Sequence, residues 1–182
     1  GVRPNIVFIL ADDLGVGNVG CYGSDHAKTP NIDALAKAGT RYTRAYTPPL
    51  CGPSRAVIMT GRYAFRTGAT NQDAMGLMKP AVETFLPKIL KSAGYVSSCV
   101  GKWGQLPSGP AEWGFENYWK FKGSGKYWNN QTGASSYEVN GKTVKLRDNE
   151  YIPDLMHRHV VEFITANRDR PFFLYYSLSH VH

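Results

Sequence analysis

The chain has 182 residues, 42% hydrophobic and 19% charged, which is enough apolar content for one folded domain with a sizeable core rather than a disordered chain. A net charge of +7 suits an anionic partner, yet the 21 lysines and arginines are scattered, so charge alone does not choose between a sulfated glycan, nucleic acid and a membrane surface. The longest apolar run, Ile6 to Ala11, is too short to cross a bilayer, and three cysteines cannot make a disulfide framework.

Gly1-Val2-Arg3-Pro4 leads straight into that apolar run with no signal peptide, as a mature or trimmed N-terminus would. Ile6 to Leu10 reads as a buried parallel strand that delivers Asp12 and Asp13 at its C-terminal edge, the edge where open α/β sheets bind ligands. Two adjacent carboxylates suit a hard cation; a pair capping the turn before Gly15 fits the same residues. Thr29 and Pro30 open a helix whose face is Ile32, Leu35 and Ala36 and whose stop is Gly39. Arg41 to Tyr46 alternates as a short strand, and Pro48-Pro49 turns the chain into Cys51.

Cys51-Gly52-Pro53-Ser54-Arg55 places a thiol at a predicted helix start, where the helix dipole favours negative charge, with Arg55 one turn on along the same face. Pro53 has no amide hydrogen to leave unsatisfied in the first turn, and Gly61 suits the helix end. An ordinary helix start after a Pro-Pro turn explains these residues equally well. Val82 to Ala93 carries Phe85, Leu86, Ile89 and Leu90 at helical spacing before Gly94, and Tyr95 to Val100 follows as a buried strand, with Gly101-Lys102 leaving its end. From 106 to 149 the chain is rich in Gly, Trp, Tyr, Asn and Lys with weak periodicity. It reads as a loop excursion, a candidate wall of a substrate cleft, with a hairpin at Asn140-Gly141 between Tyr137–Val139 and Thr143–Leu146. Asn130-Gln131-Thr132 fits a glycosylation acceptor. A helix from Pro153 to Asn167 and a strand from Phe172 to Ser177 complete an α/β pattern: a doubly wound, mostly parallel sheet with helices on both faces.

Five segments in order resemble the formylglycine-dependent sulfatases (the arylsulfatase family) of the alkaline phosphatase superfamily. They are Asn5 to Gly15, Thr29 to Ala36, Cys51-x-Pro53-Ser54-Arg55 with Thr60-Gly61-Arg62, Gly94 to Trp103, and Arg170 to Tyr176. The resemblance implies that the chain is the N-terminal part, residues 1–182, of a longer sulfatase catalytic domain, whose later half supplies an Asp-Asn pair and a second lysine. It implies that a formylglycine-generating enzyme converts Cys51 to 3-oxoalanine (formylglycine), whose hydrate is the nucleophile. Asp12, Asp13 and the residue-51 oxygen would hold calcium, with magnesium as the alternative. Arg55 would hold the hydrate, Lys102 would contact sulfate or the hydrate, and His182 would contact sulfate and protonate the leaving oxygen. The expected reaction is hydrolysis of a sulfate ester, either a small molecule or a sulfated glycan, in a periplasmic or extracellular setting, with no nucleic-acid partner and no membrane span.

One departure stands out. The family's second signature continues Lys-Trp-His, whereas Lys102-Trp103 is followed here by Gly104-Gln105, and an amide cannot remove a proton. His180 and His182, two apart beyond a strand, could share a face. His157 and His159, two apart on a helix, point apart and read as structural or solvated, and His26, in a polar loop close in sequence to the Asp pair, is kept as a candidate beside it. Cys21 and Cys99 read as packed or semi-exposed thiols without a chemical role. A phosphate or phosphonate ester hydrolase of the same superfamily, and a non-enzymatic module binding sulfated glycans, remain open alternatives.

Overall fold

The computed structural model describes residues 3–121, 126–129, 136–179 and 181; the Asn130 acceptor and His180 lie outside them. Among these residues a six-stranded sheet is built from β1 (Ile6–Ala11), β2 (Val96–Lys102), β3 (Asn117–Phe121), β4 (Ser136–Val139), β5 (Lys142–Lys145) and β6 (Phe172–Leu178). The spatial order is β1-β6-β2-β3-β4-β5. β1, β6, β2 and β3 run parallel, and β4 and β5 add an antiparallel hairpin. The hairpin turn is as expected: Asn140 and Gly141 both take positive φ, 47° and 84°, the backbone a two-residue turn needs to match strand twist.

Helices α1 (Pro30–Ala38), α2 (Cys51–Thr60), α3 (Ala64–Thr67), α4 (Leu86–Ser92) and α5 (Ile152–Ala166) complete the alternation. The sheet is covered on both faces because its central strand alternates. On β6, Phe173 and Tyr175 join one core cluster with Ala56, Met59, Phe85 and Trp113, while Phe172 and Leu174 join a second with Met156, Val160 and Phe163 of α5. The first cluster is aromatic: Phe85 stacks on Trp113 at 3.9 Å between ring centroids, and Phe115 stacks on Phe173 at 6.0 Å.

Several expectations need correcting. Arg41 to Tyr46 forms no strand; its tyrosines are exposed and have no neighbouring strand to pair with. The helix expected from Val82 starts only at Leu86, because Pro87 cannot supply an amide hydrogen inside a helix and is accepted in the first turn alone. The excursion from 106 to 149 contains β3, a full parallel strand, buried at Tyr118, Trp119 and Phe121. β1 is not buried on both sides: it is the edge strand, with Val7 48% and Ile9 58% exposed. The α1 face expected to be core is also open, since Ile32 and Leu35 are exposed and the helix is pinned instead by polar bonds. Cys21 N donates to Asp33 Oδ1 at 2.7 Å, and Thr29 Oγ1 donates to the same oxygen at 3.0 Å.

Candidate functional site

Three parallel strands end side by side, and each delivers one polar residue. Asp12 follows directly on β1, and its amide continues the ladder to Leu178 O at 3.1 Å and so places the carboxylate firmly. β2 ends at Lys102. β6, lying between them, presents Ser177, paired in register with Leu10 on one side and Gly101 on the other. Gly101 is needed here: φ is +109°, and a Cβ would sit 2.1 Å from Ser177 O. The Lys102 ammonium forms an ion pair with Asp12, and Arg55 from α2 brings Nη2 to 3.6 Å from the same carboxylate oxygen. All three are buried, with Arg55 fully enclosed. One carboxylate between two cations leaves this buried trio with an excess positive charge, an attractive environment for an anion.

α2 begins at Cys51 and ends at Gly61, which takes the left-handed C-cap conformation with φ 64° and closes onto Val57 O at 2.8 Å. Arg55 does lie one turn from Cys51, but its Nη1 donates to the Cys51 carbonyl oxygen at 3.1 Å rather than to the side chain. Its Nη2 donates to Ser177 Oγ at 3.0 Å, and its Nε is buried with no hydrogen-bond partner among the described residues. Arg55 therefore ties α2 to the ends of β6 and β1 and keeps one N–H unspent. Cys51 Sγ lies between two glutamines: Gln72 Nε2 donates to it at 3.0 Å, and it donates to Gln105 Oε1 at 3.4 Å. A cleft of about 350 Å³ brings Asp12, Asp13, Cys51, Ser54 and Arg55 together. A second cleft, about 340 Å³, starts from Lys102 and Gln105 and runs along β3 and β4 past Lys120, Tyr137 and Glu138. Both fall in the volume range of small-molecule sites, about 300–1,000 Å³.

Cys51 and Cys99 differ chemically. Cys99 is fully buried and burial pushes its thiol well above the usual range, so it is inert; Cys51 is partly exposed in the cleft. Tyr175, beneath the cluster, is pushed up to about 12 by burial and stays neutral. His26 bonds to Asp25 and Asn18 and does not line the cleft. His157 is exposed and His159 half-buried on α5, away from the lining residues. His182 lies outside the described residues.

Asp12 and Asp13 share the Cys51 cleft and offer hard oxygen donors, which fits part of a calcium shell of about 6–8 oxygens. No group of three or more His, Cys, Asp or Glu that could hold a metal ion occurs among the described residues. Among the described residues the two aspartates would supply at most a portion of such a shell. Three contributors had weak sequence signals: Ser177 inside a hydrophobic strand, Gln72 in an unpatterned turn, and Gln105, legible only as a departure from the second signature.

The sulfatase family profile matches residues 4–182. The chain belongs to the sulfatase family. Human N-acetylgalactosamine-6-sulfatase is 34% identical over 98% of this sulfatase chain, which covers 40% of that protein. The crystal structure of Ps i-CgsB superposes with a TM-score of 0.84 at 34% identity, over 100% of this chain and 46% of that one. The structure of BT4656 in complex with its substrate, D-glucosamine-2-N,6-O-disulfate, superposes with a TM-score of 0.79 at 30% identity, over 100% of this chain and 35% of that one. The sulfatase chain thus has the doubly wound, mostly parallel α/β architecture of these structures and spans less than half the length of each of these three proteins.

Proposed function

We propose that the full protein carrying this chain hydrolyses a sulfate ester to an alcohol and inorganic sulfate at the cleft of Asp12, Cys51, Arg55 and Lys102. The observation that carries the reading is the buried, net-positive trio of Asp12, Arg55 and Lys102 beside a partly exposed Cys51 at a helix start, in a chain of the sulfatase family. Lys102 holds an ammonium where negative charge on the sulfuryl oxygens develops, and the surrounding burial strengthens that attraction. Arg55 anchors the first turn of α2 through the Cys51 carbonyl and keeps Nε available to an oxygen in the site. Asp12 holds both cations in place.

Formylglycine made from Cys51 by a formylglycine-generating enzyme would supply an aldehyde hydrate, a nucleophile that can afterwards eliminate sulfate. Asp12, Asp13 and the residue-51 oxygen would hold calcium or magnesium, which would add positive charge beside the nucleophile. His182 is proposed as the donor of a proton to the departing alcohol. The leaving alcohol is proposed to be a sugar. The second cleft supports this, because it opens from Lys102 and offers both aromatic and charged walls at Tyr137, Phe121, Lys120 and Glu138. Further proposals are a periplasmic or extracellular location and completion of the site by the remaining part of a longer sulfatase domain. No described helix is long and apolar enough to cross a membrane.

The test uses the full-length protein from a host with the modifying system. The Cys51 peptide should show the thiol-to-aldehyde mass loss, and aryl sulfate should turn over faster than the matched aryl phosphate. A faster phosphate reaction would move the assignment to a phosphoesterase. Sulfated-glycan affinity without any turnover, unchanged by Cys51→Ala, would make the protein a binder.

A further inference from the structure

The side chain at position 51 is held by two neutral amides of opposite polarity. Gln72 approaches with its N–H at 3.0 Å, and Gln105 approaches with its carbonyl oxygen at 3.4 Å. Gln72 also keeps a buried Oε1 without a hydrogen-bond partner among the described residues, beside Gly52, where a Cβ would come within 2.5 Å of it. A buried acceptor left unpaired costs free energy; this oxygen lies against Gly52, and Gln72 meets residue 51 through its N–H.

The turn that delivers Gln105 also explains why no ring occupies the preceding position. Gly104 has φ +74°, and a Cβ there would meet Arg55 Cδ at 3.2 Å and Nε at 3.5 Å. A histidine at 104, where the resemblance expects one, would be strained and would press on the guanidinium. Glycine at 104 turns the chain, and the next residue reaches Cys51 instead.

We infer that Gln72 and Gln105 are positioning residues that hold the two hydroxyls of the formylglycine 51 hydrate, Gln72 donating to one oxygen and Gln105 accepting the proton of the other. The inference rests on the formylglycine reading and concerns only how this chain orients that group. The pair favours the hydrate over the free aldehyde, because the carbonyl form has no O–H to give Gln105. The amides themselves neither gain nor lose a proton.

The test is made on the mature full-length protein, with an aminooxy probe that reacts with the aldehyde form of residue 51. Positions 72 and 105 lie outside the Cys51 to Arg62 segment, so the modification motif stays intact. Gln72→Leu and Gln105→Leu should each label several-fold faster than wild type and lose about tenfold in kcat with little change in KM, the expected loss for one hydrogen bond to a reacting group. Replacement by glutamate separates a contact role from a packing role. Gln105→Glu keeps the acceptor and should label at close to the wild-type rate, whereas Gln72→Glu loses the donor and should behave like its leucine variant. Equal labelling in all four variants and wild type, or an identical response at the two positions to glutamate, overturns the inference. If the leucine variants do not fold, the glutamate pair alone decides. If mass spectrometry finds a thiol at position 51, the formylglycine reading fails, and iodoacetamide decides the contact. Faster alkylation in either leucine variant supports the amide pair; wild-type rates in both overturn it.

Discussion

Asp12 and Lys102 form a buried ion pair across an intervening strand: Asp12 follows β1, Lys102 ends β2, and β6 runs between them. Neighbouring strands lie about 4.8 Å apart, so the two side chains bridge a gap of roughly two spacings over the end of β6. That bridge, with Arg55 as a second cation, fixes the relative position of α2 and three strand ends.

Removing one member of this group should be costly. Asp12→Ala leaves Lys102 and Arg55 buried without their carboxylate and should lower unfolding stability by about 3–5 kcal/mol in urea titration. Lys102→Met should cost less, because Arg55 still pairs with Asp12. Equal losses for both variants would mean that Arg55 does not share the carboxylate.

Cys51→Ala should separate chemistry from folding. The side chain is partly exposed and its sulfur has two hydrogen-bond partners among the described residues, so the melting temperature should stay within a few degrees of wild type. Turnover of an aryl sulfate should fall to background. Residual turnover near wild type would remove residue 51 from the reaction.

Gly101→Ala tests the close approach of β2 and β6. The added methyl would meet Ser177 O at 2.1 Å, at a φ of +109° that alanine rarely adopts. Strain and overpacking together should cost about 3 kcal/mol or more and loosen the Ser177–Arg55 bond, read by thermal unfolding. A loss below 1 kcal/mol by the same measurement (about the median for any substitution) would refute the tight packing.

Stability should also fall in mild acid. His159 has its pKa lowered, chiefly by burial on α5, and its Nε2 has no hydrogen-bond partner among the described residues. The unfolded chain therefore binds a proton at a higher pH than the folded one. Stability is full above the unfolded value near 6.5 and declines as pH falls from there towards the lower folded value. His159→Gln should flatten that part of the curve in urea midpoints measured from pH 8 to 5.

Calcium should raise the melting temperature of the full-length protein and a chelator should lower it, as any ligand of the folded state does. Asp13→Asn should weaken the response. A melting temperature indifferent to both ions and chelator would leave the aspartates without a metal.

Local rules made much of the framework readable. The αL stop at Gly61, the positive-φ pair Asn140-Gly141 and the apolar run before Asp12 each follow from backbone preferences of a few adjacent residues. β3 escaped because Asn117 to Phe121 has no alternating pattern and is buried largely by distant aromatic residues. Arg41 to Tyr46 misled for the converse reason: alternation alone does not make a strand without a neighbour to pair with.

The sequence by itself determined where the thiol, the aspartates and the lysine sit on their own elements, because helix starts and strand ends are written in short-range chemistry. Only the tertiary structure decided that β6 inserts between β1 and β2, and that insertion brings Ser177 to Arg55. Folding of the loops decided that Gln72 and Gln105 converge on Cys51 from opposite sides. Strand order and loop convergence depend on contacts between residues far apart in the chain, which no local pattern encodes.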